Sequence, residues 1–113
     1  MVTSLELQVR NPSGLHARPA AVFVRAASAF TSDIRVANLT TGGAPVTAKS
    51  IIGVLGLGVE RGHWIRLEVD GGDEGPAADA LRTLVEAGLG EPATDEPIAD
   101  EPVADERATH RSA

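Results

Sequence analysis

The chain has 113 residues, of which 42% are hydrophobic and 3% aromatic, so it can form one domain with an aliphatic core. It has no cysteine, which excludes disulfides and thiolate metal sites, and no apolar run is long enough to span a membrane. The net charge of −6 lies mostly in residues 91–113, which hold seven acidic and two basic side chains, so a basic nucleic-acid-binding surface is excluded. The first residues lack the pattern of a signal peptide, and we expect a cytoplasmic protein without membrane insertion.

The first part of the chain predicts a strand, a loop and a helix. Residues 5–9 alternate between apolar and polar side chains, which is the period of a half-buried strand. Residues 11–14, NPSG, are typical of a loop. Over residues 16–29 the apolar side chains recur at helical spacing. Pro19 is tolerated only in the first turn of a helix, where its missing N–H is no loss, so His16 is expected at the helix start.

The rest of the folded part predicts three strands and two helices. A strand is expected over residues 34–38, followed by a short strand near Val46. A short helix over residues 50–56 and a strand over 65–70 follow, and Pro76 is expected to open the last helix. The order is β-α-β-β-α-β-α. Because the strands have one polar face, we expect helices to cover only the other face of their sheet.

The last residues form a segment of different character. In residues 92–113, acidic pairs and prolines recur about every five positions, which forbids a helix and favours disorder. We therefore predict a folded domain over residues 1–91 and an acidic, proline-rich, disordered tail over 92–113. The tail is interpreted either as a solubilising extension or as part of a linker to another domain.

Residues 14–21, GLHARPAA, carry the chemistry that is easiest to interpret. A helix start offers free N–H groups and the positive end of the helix dipole, so it favours anions. Arg18 adds a fork of donors suited to phosphate. A neutral imidazole at His16 is a nucleophile beside this anion site. The pattern indicates reversible capture of a phosphoryl group on His16.

Two motifs resemble one family, the HPr phosphocarriers of the bacterial sugar phosphotransferase system. GLHARPAA is similar to their active-site signature, and residues 49–55, KSIIGVL, resemble the segment that carries their regulatory serine. The likeness runs from about residue 5 to residue 91. It implies an α+β, open-faced sandwich with a four-stranded antiparallel sheet and three helices on one face.

The resemblance also implies the roles of the site residues. His16 would carry the phosphoryl group on Nδ1, Arg18 would contact the phosphate, and Ser13 and the backbone N–H of Ala17 would support the site. The chain would relay a phosphoryl group from enzyme I to enzyme IIA domains through a transient phosphohistidine. It would need no cofactor, no ATP site and no metal, and it would act as a monomeric transfer partner instead of a stand-alone enzyme.

Ser50 and its surroundings allow two interpretations. Serine before a short helix is a good N-cap, and the resemblance makes Ser50 a site of regulatory phosphorylation by an HPr kinase/phosphorylase. An apolar patch beside it would dock enzyme I and enzyme IIA. The residues expected at this docking surface are Ile51, Ile52 and Leu55, with Phe23 and Arg25 on the first helix.

A second function belongs to a different class. The chain would then be a regulatory module, in which the phosphorylation state of His16 or Ser50 controls docking to a transcription regulator or a kinase. HPr modules also occur within longer multiphosphoryl-transfer chains and in phosphotransferase-linked dihydroxyacetone kinase subunits. The sequence leaves open which of these branches the chain serves.

Overall fold

The computed structural model describes residues 2–91, which form a sheet and three helices. The elements follow the predicted order: β1 Val2–Gln8, α1 Ala17–Ser28, β2 Asp33–Asn38, β3 Val46–Thr47, α2 Ile51–Gly56, β4 Trp64–Asp70 and α3 Glu74–Glu86. This confirms the predicted fold class. The predicted disordered tail, residues 92–113, lies outside the described residues. Within residues 2–91 no helix is long and apolar enough to cross a membrane.

The sheet is antiparallel throughout, with the strand order β1-β4-β2-β3. Its register sets apolar side chains in rows across the strands: Leu5 lies opposite Leu67, which lies opposite Val36 on its other side. The alternate positions carry mostly polar side chains, with Val2, Ala37 and Trp64 as exceptions, and Arg66 donates to Glu6 at 3.0 Å between β4 and β1. The period of two in the sequence therefore separates a helix-covered face from a polar face.

The core lies between the sheet and the helices, and it is aliphatic apart from one aromatic ring. The helices contribute to it through stripes at helical spacing. The largest fully buried side chains are Phe23, Leu15, Ile34, Ile65, Leu67, Leu81, Leu89, Val9, Val36, Val54, Val59 and Val69.

Two boundaries differ from the prediction by more than one residue. Strand β1 begins at Val2, three residues before the predicted start. Every residue of β1 has a partner in β4, and the first pair joins Val2 to Asp70. Helix α3 begins at Glu74, so Pro76 lies within its first turn instead of opening it. The difference in β1 arises from its pairing with β4, to which local residue patterns are insensitive.

The loop after β1 is fixed by the loop that precedes β4. The N–H of Val9 donates to the carbonyl of His63 at 2.9 Å, and the N–H of Gly62 donates to the carbonyl of Val9 at 2.6 Å. Further along, the N–H of Leu15 donates to the carbonyl of Val59 at 2.9 Å. These bonds anchor the chain on both sides of residues 10–14 and so determine where α1 begins.

Asp73 joins the two turns at the opposite end of β2 and β4. Its carboxylate accepts hydrogen bonds from the N–H groups of Thr31 and Ser32, both at 2.9 Å, and from the Ser32 hydroxyl. The Ser32 hydroxyl and the backbone N–H of Thr31 lower the pKa of Asp73 from its ordinary 3.8 to about 2. The ionised carboxylate therefore stabilises the fold by holding the α1–β2 turn to the start of α3.

Replacing Asp73 with asparagine is expected to lower the melting temperature at neutral pH by several degrees, since an amide oxygen replaces a charged acceptor. The native pKa lies below that of the unfolded chain, so this stabilisation is complete above about pH 4 and is lost as the pH falls to about 2. Thermal unfolding between pH 7 and pH 2 measures both effects. The exposed Asp79→Asn variant on α3 is the control, and equal acid sensitivity of the wild type and Asp73→Asn would contradict this role.

Candidate functional site

The loop before α1 makes a tight turn with its own hydrogen bonds. The N–H of Gly14 donates to the carbonyl of Asn11 at 3.1 Å, and the side-chain amide of Asn11 donates to the carbonyl of Gly14 at 2.9 Å. Gly14 has a φ of 61°, and a Cβ there would contact the carbonyl oxygen of Val59 and lie 2.8 Å from the Cα of Glu60. Glycine is required for two reasons: the backbone conformation is left-handed, and the backbone of Val59 and Glu60 leaves no room for a Cβ.

His16 occupies the N-cap position of α1. Its backbone is extended, with φ −126° and ψ 161°, and its half-buried ring makes no capping hydrogen bond. No acidic residue lies in the first turn of α1. The imidazole therefore stands at the positive end of a helix whose first N–H groups are not taken by the cap side chain, which suits a bound anion.

Ala17 and Arg18 follow on the exposed side of the helix start. Ala17 has a φ of 54°, a left-handed conformation that costs a residue with a Cβ about 1 kcal/mol. Such conformations persist where the surrounding structure imposes them, and they occur often at functional sites. The Arg18 guanidinium is exposed two residues from His16, where it can reach an anion at the helix mouth.

Ser13 has a partner that the sequence did not predict, the carboxylate of Glu91. Oε1 of Glu91 accepts from the N–H of Ser13 at 2.8 Å and from the side-chain amide of Asn11 at 2.9 Å, while Oε2 accepts from the Ser13 hydroxyl at 2.8 Å. The Asn11 amide, then Ser13, and to a smaller degree Arg18 lower the pKa of Glu91. The loop ahead of His16 is thus bound by an ionised carboxylate from beyond α3.

Ser50 caps α2, as its position in the sequence predicts. Its hydroxyl accepts a hydrogen bond from the N–H of Gly53 at 3.1 Å. The side chain is half-buried and precedes the apolar residues of α2 directly. The contact accounts for a serine here without any regulation, and regulatory phosphorylation stays a prediction.

The apolar residues of α2 form an exposed surface. Ile52 is 80% exposed, Ile51 39% and Leu55 40%, while Val54 on the same helix is buried in the core. We call Ile51, Ile52 and Leu55 the docking patch. Helix α2 packs against α1, so the patch belongs to the layer of helices that includes the His16 helix.

The prediction that Phe23 borders this surface is wrong. Its side chain is 0% exposed, because it lies on the stripe of α1 that faces the sheet and fills the core. Arg25, two residues on, is exposed in the last turn of α1. Of the two α1 residues proposed for docking, only Arg25 is available at the surface.

Metal-ligating side chains do not cluster in the described part of the chain. Among residues 2–91 no group of three or more His, Cys, Asp or Glu side chains could hold a metal ion. At the helix mouth stand His16, Arg18 and the first backbone N–H groups of α1.

The sequence and structure resemble proteins of one family. The family model PTS-HPr, described as the PTS HPr component phosphorylation site, matches residues 3–87. A protein called multiphosphoryl transfer protein, from Escherichia coli O157:H7, is 44% identical over 92 residues, which is 81% of this chain. The chain spans only 24% of the length of that relative.

Solved structures agree with this match. A crystal structure of HPr-C-His from Thermoanaerobacter tengcongensis superposes with a TM-score of 0.75 at 42% identity, over 80% of this chain and 98% of the other. The solution structure of Crh, the Bacillus subtilis catabolite repression HPr, has a TM-score of 0.55 at 40% identity, over 74% and 95% of the two chains. The chain therefore belongs to the HPr family, the phosphocarriers of the phosphotransferase system.

Proposed function

We propose that His16 accepts a phosphoryl group from phosphorylated enzyme I and passes it to a histidine of an enzyme IIA domain. In the first step a ring nitrogen of His16 attacks phosphorus, and the bond between phosphorus and enzyme I breaks. In the second step the new N–P bond breaks as the acceptor histidine attacks. The family resemblance implies Nδ1 as the nitrogen that carries the group.

The position of His16 is the observation that carries this proposal. Its ring makes no capping bond at the mouth of α1, whose first turn contains no acidic side chain. The helix dipole and free N–H groups stabilise the charge of the phosphoryl group there, and Arg18 supplies a cation two residues further on. Together these groups form a site suited to a phosphoryl group.

The docking patch suits transient partners. Three large aliphatic side chains stand exposed on α2, and exposed apolar groups of this kind favour protein contacts. Arg25 adds a positive charge for an acidic partner. We propose that enzyme I and enzyme IIA bind this surface in turn, each through a modest interface, and that the carrier works as a monomer.

The experiment that tests the relay uses purified enzyme I, radiolabelled phosphoenolpyruvate and a set of enzyme IIA domains. We expect an acid-labile, alkali-stable label on this chain only when enzyme I is present. Addition of the correct enzyme IIA should then move the label to that domain. Absence of label on the chain with an active enzyme I would refute the relay.

A regulatory function is the second candidate, and the similarity to Crh favours it. The phosphorylation state of His16 or Ser50 would then control docking to a transcription regulator or a kinase. The same experiment separates the two functions. A chain that takes the label but passes it to no enzyme IIA is a regulator, whereas rapid transfer identifies a carrier.

Ser50→Asp tests the regulatory serine. Aspartate is also a good N-cap, so the melting temperature should stay near that of the wild type or rise slightly. The added charge lies beside the docking patch and must be desolvated by a partner, so phosphorylation of His16 by enzyme I should slow roughly tenfold. Melting curves and transfer rates on the same variant measure the two effects.

Ser50→Ala is the matched control. It removes the bond to the N–H of Gly53 and should cost about 1 kcal/mol of stability, yet it adds no charge and should transfer at the wild-type rate. If Ser50→Asp also transfers at that rate, Ser50 is a helix cap alone.

A further inference from the structure

Glu91 makes a three-bond contact with the loop that leads to His16. Both carboxylate oxygens are used: Oε1 accepts from the N–H of Ser13 and the amide of Asn11, and Oε2 accepts from the Ser13 hydroxyl. We call this set of contacts the Glu91 clamp. The residues it joins lie 78 and 80 positions apart in the chain, at opposite ends of the domain sequence.

The segment that presents Glu91 is itself tightly constrained. Gly88, Leu89 and Gly90 have φ values of 97°, 55° and 85°, three consecutive left-handed residues that turn the chain back from the end of α3. The Leu89 side chain is fully buried, and its N–H donates to the carbonyl of Leu84 at 3.0 Å. Because a buried leucine is held in a strained conformation, the surrounding structure must fix the course of residues 88–90.

Residues 11–14 connect the Glu91 clamp to the start of α1 through hydrogen bonds. The side-chain amide of Asn11 donates both to the carboxylate of Glu91 and to the carbonyl of Gly14. Gly14 is two residues before His16 and packs against the backbone of Glu60, so it has little freedom to move. The orientation of Ser13 and Asn11 thus bears on the position of the His16 ring.

We propose that Glu91 is a positioning residue for phosphoryl transfer at His16, since its carboxylate holds residues 11–13 and thereby orients the imidazole and the start of α1. The inference rests on the proposed function. Glu91 is not proposed to touch the phosphoryl group. Glu91 acts through Ser13 and Asn11.

A negative side chain near a phosphoryl site could instead oppose transfer by repulsion. The clamp argues against this outcome, because both oxygens are occupied by donors and the positive charge of Arg18 acts on Glu91. The charge of Arg18 and the hydrogen-bond donors Asn11 and Ser13 offset the negative charge of the carboxylate. Loss of the clamp should therefore slow transfer, and a faster variant would show that repulsion dominates.

The test compares Glu91→Gln with Glu86→Gln, which removes the same charge from an exposed residue at the end of α3. Glutamine is nearly isosteric, but its amide accepts at one end only, so it leaves a donor of Ser13 or Asn11 without an acceptor. We expect Glu91→Gln to lower the maximal rate of His16 phosphorylation about tenfold, which is the scale of effect seen when a hydrogen bond that orients a metal ligand is lost in metal sites. The KM for the carrier should be unchanged because the docking patch is intact. Glu86→Gln should match the wild type.

NMR of the His16 ring provides a measurement that does not depend on enzyme I. The ring signals should shift in Glu91→Gln and stay in place in Glu86→Gln, while melting curves verify that both variants are folded. Unmoved ring signals, or transfer by Glu91→Gln at or above the wild-type rate, would overturn the positioning role. If the wild type itself takes no label, the relay is refuted, and the ring signals still decide whether Glu91 positions His16.

Discussion

Replacing His16 with alanine is expected to abolish phosphorylation of the chain by enzyme I. The ring nitrogen is the nucleophile in the proposed transfer. Ala17 and Arg18 carry no nucleophile, and the Ser13 hydroxyl is held by its hydrogen bond to Glu91. The fold should survive, because the half-buried ring makes no capping bond. Labelling with radiolabelled phosphoenolpyruvate and enzyme I measures the loss, and circular dichroism verifies the fold.

His63→Ala provides the contrasting variant. Nδ1 of His63 accepts from the N–H of Glu60 at 3.1 Å and lies 3.2 Å from the side-chain amide of Asn38, so its role is to hold the loop before β4. This variant should lose stability and keep its label. Stoichiometric labelling of His16→Ala would place the phosphoryl group on another residue and refute the assignment.

The fold could be predicted from the sequence because its signals are local. Alternation of apolar residues indicates three of the strands, and Pro19 alone is enough to place the helix start next to His16. The cap at Ser50 is equally visible, since a serine immediately before an apolar helix is a local pattern. The start of β1 is predicted less accurately because its pairing with β4 sets it.

Glu91 shows what such signals miss. In the sequence it begins an acidic segment, and its charge is counted with that segment. Its partner Ser13 is 78 residues away, and the contact depends on three left-handed residues at 88–90. Two glycines around a leucine after a helix indicate a turn back of the chain, but they do not reveal its target.

The wrong prediction for Phe23 has a different cause, because the sequence pattern itself indicates that this side chain is buried. It lies at the spacing of the apolar stripe of α1, which predicts burial, yet the predicted docking surface also included it. A side chain cannot serve both roles in one conformation, and the structure places it in the core. The exposure of Ile51, Ile52 and Leu55 on α2 is predictable, because one narrow stripe of a short helix cannot bury all three side chains.

Phe23→Ala should therefore be the most destabilising of these substitutions. Removal of a fully buried phenylalanine ring from an aliphatic core costs about 3–5 kcal/mol, through lost burial and the cavity that remains. Domains of this size are stable by roughly 5–15 kcal/mol, so the variant would lose a large part of its stability. Denaturant unfolding, followed by circular dichroism, measures the loss.

Ile52→Ala is the matched control on α2, since it also truncates a large apolar side chain. Ile52 is 80% exposed, so the change should alter the free energy of unfolding by no more than about 0.5 kcal/mol. Transfer from enzyme I should nevertheless slow, because the docking patch loses its most exposed side chain. The two variants thus dissociate core from surface: Phe23→Ala lowers stability, and Ile52→Ala lowers the transfer rate of a stable protein. A Phe23→Ala variant that is as stable as the wild type but slow in transfer would contradict the core role of Phe23 and support a role in docking.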